Sequence, residues 1–398
     1  MTNQGRMCSA RSAIRQRGQA MVLIAVLMAL GLLGVVFATA NSTSVAVANH
    51  QADANRAAML LARDALIGRA ASDNNRPGSL PCPDTDNDGV AETFVGSDCP
   101  SYIGRLPWKS LGLPDLRDAS GERLWYMLST RFRDNAAAEP INSDTKGNVT
   151  VFAGNAATLF TSEAVAVIFA PGGPVGVQAR GTVAEQNAAA NYLETAFGVN
   201  NASGAGPYIS APRTDVFNDS LLAITTAELM TTVEKRVARE ILTILQAYRN
   251  AGGNWCNCYP WADHSDGSSN EGSFAGRVPL WNSSTGSTPD WVDVGINTGT
   301  YPALDWLRNN EWWWPFLYTV SNSQSANHAA GTLTVDGVSG YSVVLITTGP
   351  AGAARPPGGP WDESYWTLYV DDSENSDLLI NFQTPSSTAY ARDRLYKL

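Results

Sequence analysis

Apolar and polar positions divide the chain into one uninterrupted apolar run, two stretches of helical period and several short apolar segments closed by turn residues. The run extends from Ala20 to Ala40 without an Asp, Glu, Lys or Arg. As a helix rising about 1.5 Å per residue it covers the hydrocarbon core of a bilayer. Beyond it, residues 41–70 hold no Pro and no Gly before Gly68, and Met59, Leu60, Leu66 and Ile67 recur one and two turns apart. The pattern predicts one helix of 52 residues from Gln19 to Ala70, on the order of 75 Å long. Ser72-Asp73-Asn74-Asn75-Arg76-Pro77-Gly78 ends it.

Short strands follow. Leu124–Ser129, Ala164–Gly172 and Asp219–Thr225 are apolar segments that close in turns. Thr225-x-x-Glu228 then reads as a capping box, and Leu229, Val233, Val237, Ile241, Leu245 and Tyr248 keep helical spacing until Gly252-Gly253. After this second amphipathic helix the landmarks recur in order. Cys256-Asn257-Cys258-Tyr259-Pro260-Trp261-Ala262-Asp263 answers Leu80-Pro81-Cys82-Pro83-Asp84, and Gly276-Arg277-Val278-Pro279-Leu280 answers Gly104-Arg105-Leu106-Pro107-Trp108. Phe316–Ser321 answers Leu124–Ser129, Tyr341–Pro350 answers Ala164–Gly172, and Asn375–Ile380 answers Asn218–Ile224. Such a recurrence predicts one design used twice. The expected fold is therefore α+β: a long N-terminal membrane-spanning helix, then two tandem heads, each a helix on an antiparallel sheet.

Charge changes the picture in one respect. The net charge is −10, and residues 1–18 carry four Arg and no acid, so the remainder stands at −14. That balance argues against nucleic acid as a partner, since its recognition needs a basic face. Four cysteines lie beyond the apolar run, Cys82, Cys99, Cys256 and Cys258. An even number in an oxidising compartment predicts two disulfides, with Cys256 and Cys258 the doubtful pair because only one residue separates them. Asp84-x-Asp86-x-Asp88-Gly89 opens like a calcium loop, but Val95 stands where the bidentate Glu belongs. Glu92 or Asp98 is the available substitute, and the competing reading is a solvated acidic turn. Asp263, Asp266 and Glu271 form a poorer set in the second half. Trp312-Trp313-Trp314, with Trp306, Trp291, Trp281 and Trp261 nearby, reads either as core filling or as a surface for a glycan or protein. The three histidines, His50, His264 and His328, fall in no metalloprotease pattern, and neither a nucleophile elbow nor a phosphate loop occurs. The expectation is a chain that is not an enzyme.

The N-terminus admits three readings. Basic residues, an apolar middle and Ala38-Thr39-Ala40 fit a signal peptide cut after Ala40. The second reading is a plain membrane anchor. The third reading is a class III leader over residues 1–18, cut between Gly18 and Gln19 so that residues 19–40 stay on the mature chain. Arg6, Arg11, Arg15 and Arg17 place the leader on the cytoplasmic side.

Arg15-Gln16-Arg17-Gly18, the long helix, Leu80-Pro81-Cys82-Pro83-Asp84, Asp88-Gly89-x-x-Glu92, Gly104-Arg105-Leu106-Pro107-Trp108 and Leu111-Gly112-Leu113 together resemble the prepilin-type proteins. These are the pilins and pseudopilins of type IV pili and type II secretion. The resemblance covers residues 15–225 and, more weakly, 226–398. One departure is Gln19 and Leu23, where most of that family has Phe and Glu. Lacking that Glu is similar to the large minor pseudopilin at a filament tip and to one class of minor pilins, and has a physical reading. A carboxylate in the bilayer needs a partner, in that family the neighbouring subunit's amine, and a subunit with no neighbour above it has none to meet.

The resemblance implies two pilin-like heads, 41–225 and 226–398, behind a leader and a transmembrane segment. It implies a structural or assembly subunit of a type IV pilus or type II secretion filament. Its partners would be the inner membrane, a prepilin peptidase and other pilin or pseudopilin subunits, and its place the inner membrane, single-pass, with periplasmic heads. The alternative is an exported or anchored binding module that uses the Trp-rich second head.

Overall fold

A computed structural model describes residues 46–135, 139–154, 158–263, 274–280, 291–321, 331–349, 369–384 and 393–398. Residues 57–398 form one compact unit, and residues 1–56 are a separate one of which only 46–56, all helical, are described. The first half contains α1 (46–72), β1 (Ile103–Arg105), β2 (Trp125–Leu128), β3 (Val149–Ala153) and β4 (Leu159–Ala170). It continues through α2 (Val183–Asn187), β5 (Thr195–Ala196), β6 (Val199–Asn200), β7 (Tyr208–Ser210) and β8 (Ser220–Thr225). The second half begins with α3 (Thr226–Asn250), β9 (Ala275–Arg277), α4 (Ala303–Asn309) and β10 (Phe316–Val320). It ends with β11 (Leu333–Val335), β12 (Val338–Tyr341), β13 (Val343–Thr347), β14 (Asn381–Phe382) and β15 (Arg394–Lys397).

This arrangement corrects the expected fold. Among the described residues no helix is long and apolar enough to cross a membrane, and the architecture is a mixed α/β one with several sheets. This runs against the expected membrane-spanning helix, and with it the prepilin-type leader and the single-pass inner-membrane location, for which no described helix supplies a span. The part of the expected 52-residue helix that the structure describes is α1, where Asp53, Arg56, Arg63, Asp64 and Arg69 interrupt the apolar positions about every turn or two, too often for a bilayer span. Such a helix buries one stripe and wets the other. Residues 1–45, including Gly18, Gln19 and the apolar run, lie outside the described residues.

Two sheets carry the fold. In the first, β1, β2 and β4 pair antiparallel in that order, and β8 lies on β4. In the second, β9, β10, β13 and β15 repeat the same antiparallel order. The registers correspond: Gly104, Tyr126 and Ile168 stand abreast in one sheet, and Gly276, Tyr318 and Leu345 in the other. Asp84 and Arg105 exchange backbone hydrogen bonds of 3.0 and 2.6 Å, and Asp263 and Arg277 exchange bonds of 3.0 and 2.9 Å. The Tyr126 hydroxyl donates to Pro81 O at 3.3 Å, and that of Tyr318 to Pro260 O at 2.9 Å. Glycine is required where the acidic loop crosses the first strand of each sheet. A Cβ on Gly104 or Gly276 would lie 2.5 or 2.2 Å from the carbonyl oxygen of Asp84 or Asp263.

The last landmark is misplaced in the sequence reading. Residues 375–380 form no strand; Leu378 has φ 50°, and Leu379 and Ile380 are about half exposed. A regular strand keeps φ negative, so a non-glycine residue in the left-handed region interrupts it. The counterpart of β8 is β15, and an acid precedes each: Asp219 accepts from Glu194 N at 2.8 Å, and Asp393 from Asp371 N at 2.7 Å.

Alternation explains why these strands are apolar throughout. Tyr126, Leu128, Ala166, Ile168 and Ala170 face the helices, whereas Trp125, Met127, Val167 and Phe169 face a second cluster with Tyr192, Leu193 and Tyr208. In the second sheet, Phe316, Tyr318, Val320, Val343 and Leu345 point inward, while Leu317, Val344 and Ile346 meet Leu333, Val335, Tyr369 and Phe382. Both faces are covered, so the polar-out alternation of a half-buried sheet is absent.

The inner faces of both sheets meet α1 and α3 in one continuous core. On α1 the buried stripe is Ala58, Met59, Ala62, Leu66 and Ala70, three of them alanine. Arg63 pairs with Glu228 at 3.3 Å, and Arg236 Nη1 donates to Ala71 O and Asp73 O at 2.9 and 3.0 Å. Those contacts keep the same order along both helices, which therefore run in the same direction. Arg236 also meets the last carbonyls of α1, where a cation complements the helix dipole. Half of the expected capping box forms: the Thr225 side chain accepts from Glu228 N, while Glu228 turns to Arg63. At the centre Glu234 is fully buried. It accepts from Ser143 Oγ at 2.7 Å and Thr347 Oγ1 at 3.3 Å and pairs with Arg394, whose Nη2 donates to Thr231 Oγ1 at 2.8 Å. This one side chain ties segments of both halves together.

Candidate functional site

The acidic loop leaves the turn after α1 and is clamped at both ends by the Cys82–Cys99 disulfide, with Cα atoms 5.5 Å apart. Asp84, Asp86 and Asp88 converge, each offering a carboxylate oxygen within 4.8 Å of the others. Backbone donors shape the turn. Asp84 accepts from Asn87 N at 2.6 Å and Gly89 N at 2.7 Å, Asp86 from Asp88 N at 3.1 Å, and Asp88 from Val90 N at 2.6 Å. Gly89, at φ 88°, is needed for the turn and for packing, since a Cβ there would lie 2.5 Å from Trp108 Nε1. Two cations brace the outside: Lys109 Nζ donates to Asp88 O, and Arg123 Nη1 to Asn87 O at 2.7 Å. Burial pushes the Asp84 carboxyl up, and the Asp88 and Asp86 charges push it the same way against two backbone donors.

Glu92 does not join the three aspartates. Its Oε1 accepts from Thr85 N at 3.0 Å and from Thr85 Oγ1, which closes the loop on itself. Asp98 accepts from the Tyr102 hydroxyl at 2.8 Å and pairs with Arg133 at 3.3 Å. In the second half Asp263 is buried, with its backbone paired to Arg277, and Asp266 and Glu271 lie outside the described residues. Cys256 and Cys258 are bonded to each other.

The tryptophans are mostly interior. Trp312, Trp314, Trp306 and Trp291 are buried, Trp313 is half-buried against the core, and Trp281 lies outside the described residues. Trp314 has a task that its sequence context did not show. The guanidinium of Arg277 stacks over it at 3.7 Å, as that of Arg105 stacks over Trp125 at 4.7 Å and Tyr192 at 4.1 Å. The Arg of each Gly-Arg pair is thus a buried, aromatic-packed side chain.

Two features have no signal in the sequence. Asp219 and Glu194 are buried carboxylates knitted together by backbone and amide donors; burial, then the Glu194 charge, hold Asp219 well above the usual carboxylate range. The other is a cleft of about 910 Å³ lined by Asn75, Arg76, Asp134, Thr298, Pro302, Asp305, Trp306, Asn309 and Asn310. It lies where the turn after α1 meets α4, so its walls come from both halves and are distant in sequence. No protein-family model, curated protein or solved structure matches the chain.

Proposed function

We propose that the chain is a non-enzymatic structural or assembly subunit of a filament of the type IV pilus or type II secretion kind. The observation that supports this reading is the doubled unit. A run of four antiparallel strands, entered through a cysteine-proline-acid loop, occurs twice in the same order, and both runs pack on the core shared by α1 and α3. An internal duplication does not by itself carry a function, so the reading rests on assembly behaviour for its proof. Deleting the chain from its own cells is expected to reduce surface filaments or the export of secreted proteins. A photo-activated cross-linker at Leu61, an apolar α1 side chain 55% exposed, is expected to capture pilin-type subunits. Unchanged filaments and export, with no captured subunit, would overturn the reading.

The acidic loop is proposed to take Ca²⁺ and brace the first half. The three aspartates repel when ionised, and one Ca²⁺ with carbonyl or water ligands relieves that repulsion. Each carboxylate oxygen that accepts one backbone N–H keeps a further lone pair for a cation. Millimolar Ca²⁺ is expected to raise the Tm of the purified chain over that in chelator, and an Asp86→Ala, Asp88→Ala variant is expected to lose the response. Equal shifts in both proteins, or none, would mean that the run is a solvated turn. Protons compete for the same oxygens, and Asp84 holds its proton above its ordinary value of 3.8. The calcium response should therefore shrink as pH falls.

A further inference from the structure

We propose that the cleft between the turn after α1 and helix α4 binds a neutral, polyhydroxylated ligand, namely a short oligosaccharide. The inference goes beyond assembly and stands or falls apart from it. At about 910 Å³ the cleft is within the size range, roughly 300–1,000 Å³, that encloses small-molecule ligands.

The donor set selects the ligand class. Arg76 presents one guanidinium, while Asp134 and Asp305 present two carboxylates, and Asp134 is already paired with Arg69 at 3.0 Å. A phosphate or carboxylate ligand would meet the exposed Asp305, and a cation would meet the buried Arg76; either meets like charge in a partly dehydrated space. Hydroxyl groups avoid both penalties because each donates and accepts. The opening supplies matching groups. Asn75, Thr298, Asp305 and Asn309 are exposed at its rim, so amide, hydroxyl and carboxylate side chains alternate there as donors and acceptors.

The floor is held in place before any ligand arrives. Trp306 is 4% exposed and Asn310 3%. The guanidinium of Arg236 lies 5.9 Å from the Trp306 ring, and Asn310 Nδ2 donates to Trp306 O at 3.0 Å. Asn310 Oδ1 accepts from Ile141 N at 3.2 Å, and its carbonyl accepts from Asn142 Nδ2 at 3.1 Å. Such a floor lowers the ordering cost of binding. Pro302, exposed beside this floor, adds an apolar patch against which the C–H side of a sugar ring can lie.

Isothermal titration calorimetry on the full chain tests this with maltose, cellobiose, lactose and diacetylchitobiose, beside galacturonic acid and spermidine as charged controls. Saturable binding of at least one neutral disaccharide is expected. In Asp305→Ala and Asn309→Ala variants it should weaken roughly tenfold or more, since each removes hydrogen bonds to the ligand. Both positions are exposed on α4, and an unchanged Tm checks that the variants remain folded. No saturation by any neutral sugar, tighter binding of a charged control, or binding indifferent to both substitutions would overturn the proposal. None of these outcomes bears on filament counts, so the two readings fail separately.

Discussion

An Arg394→Met substitution is expected to destabilise the folded chain by about 3–5 kcal/mol at neutral pH, the cost of leaving a buried charge without its partner. Glu234 is fully buried, and Arg394 is its charged partner. Replacing both, Glu234→Gln with Arg394→Met, should recover most of the loss, because a neutral amide still accepts from Ser143 and Thr347. The sign of the pH dependence follows from the carboxyl itself. Burial raises Glu234 above its ordinary 4.5, and the Arg394 charge opposes that rise. A raised folded value means that its stabilising contribution is complete below the unfolded value and is lost as pH rises through the folded one. Removing Arg394 raises the carboxyl further, so the variant's deficit should be largest near neutrality and shrink on acidification. Denaturant melts at pH 7 and pH 4 measure both quantities. A deficit under about 1 kcal/mol, or one that grows on acidification, would show that the pair does not hold the core.

Loss of the Cys82–Cys99 bridge should be the next largest effect. The bridge spans 17 positions, for which the chain-entropy relation gives about 3 kcal/mol, against about 1 kcal/mol for a bridge of two positions such as Cys256–Cys258. Both sulfurs of the first pair also belong to the main core, at 2% and 6% exposure for Cys82 and Cys99. A Cys82→Ala, Cys99→Ala chain should therefore melt well below the parent, and a Cys256→Ala, Cys258→Ala chain only slightly below it. Thiol titration of the unreduced parent should find none of these four cysteines free. If the second variant lost more than the first, loop length would not be what governs these bridges.

Local pattern determined a good deal of this protein. The α3 boundaries were legible because Thr225 and Gly252-Gly253 act within one turn of the helix ends they define, and the α1 stop because Pro77-Gly78 cannot continue a helix. The strands β2, β4, β10 and β13 were legible because runs buried on both faces are apolar without alternation. The recurrence was legible up to β13, where turn residues keep their spacing. It failed at the last strand, since Leu378-Leu379-Ile380 looks apolar enough to pair, and only the path of the chain shows that Leu378 takes a left-handed conformation while β15 fills the place. The expected 52-residue helix joined the apolar run to α1, and α1, the part the structure describes, buries one stripe beneath charged residues and is a helix of the core.

What only the tertiary structure decided is what depends on residues far apart in the chain. Three aspartates two positions apart announce their convergence, but that Glu92 closes on Thr85 instead of joining them depends on where the loop is clamped. The tryptophan triplet could be core or surface by composition alone; packing assigned Trp312 and Trp314 to the interior and left Trp306 at the floor of a cleft. The Glu234–Arg394 pair joins positions 160 residues apart, and the cleft joins Asn75 to Asn309. Neither has a period or a spacing, because each is produced by two helices and two sheets closing on one core.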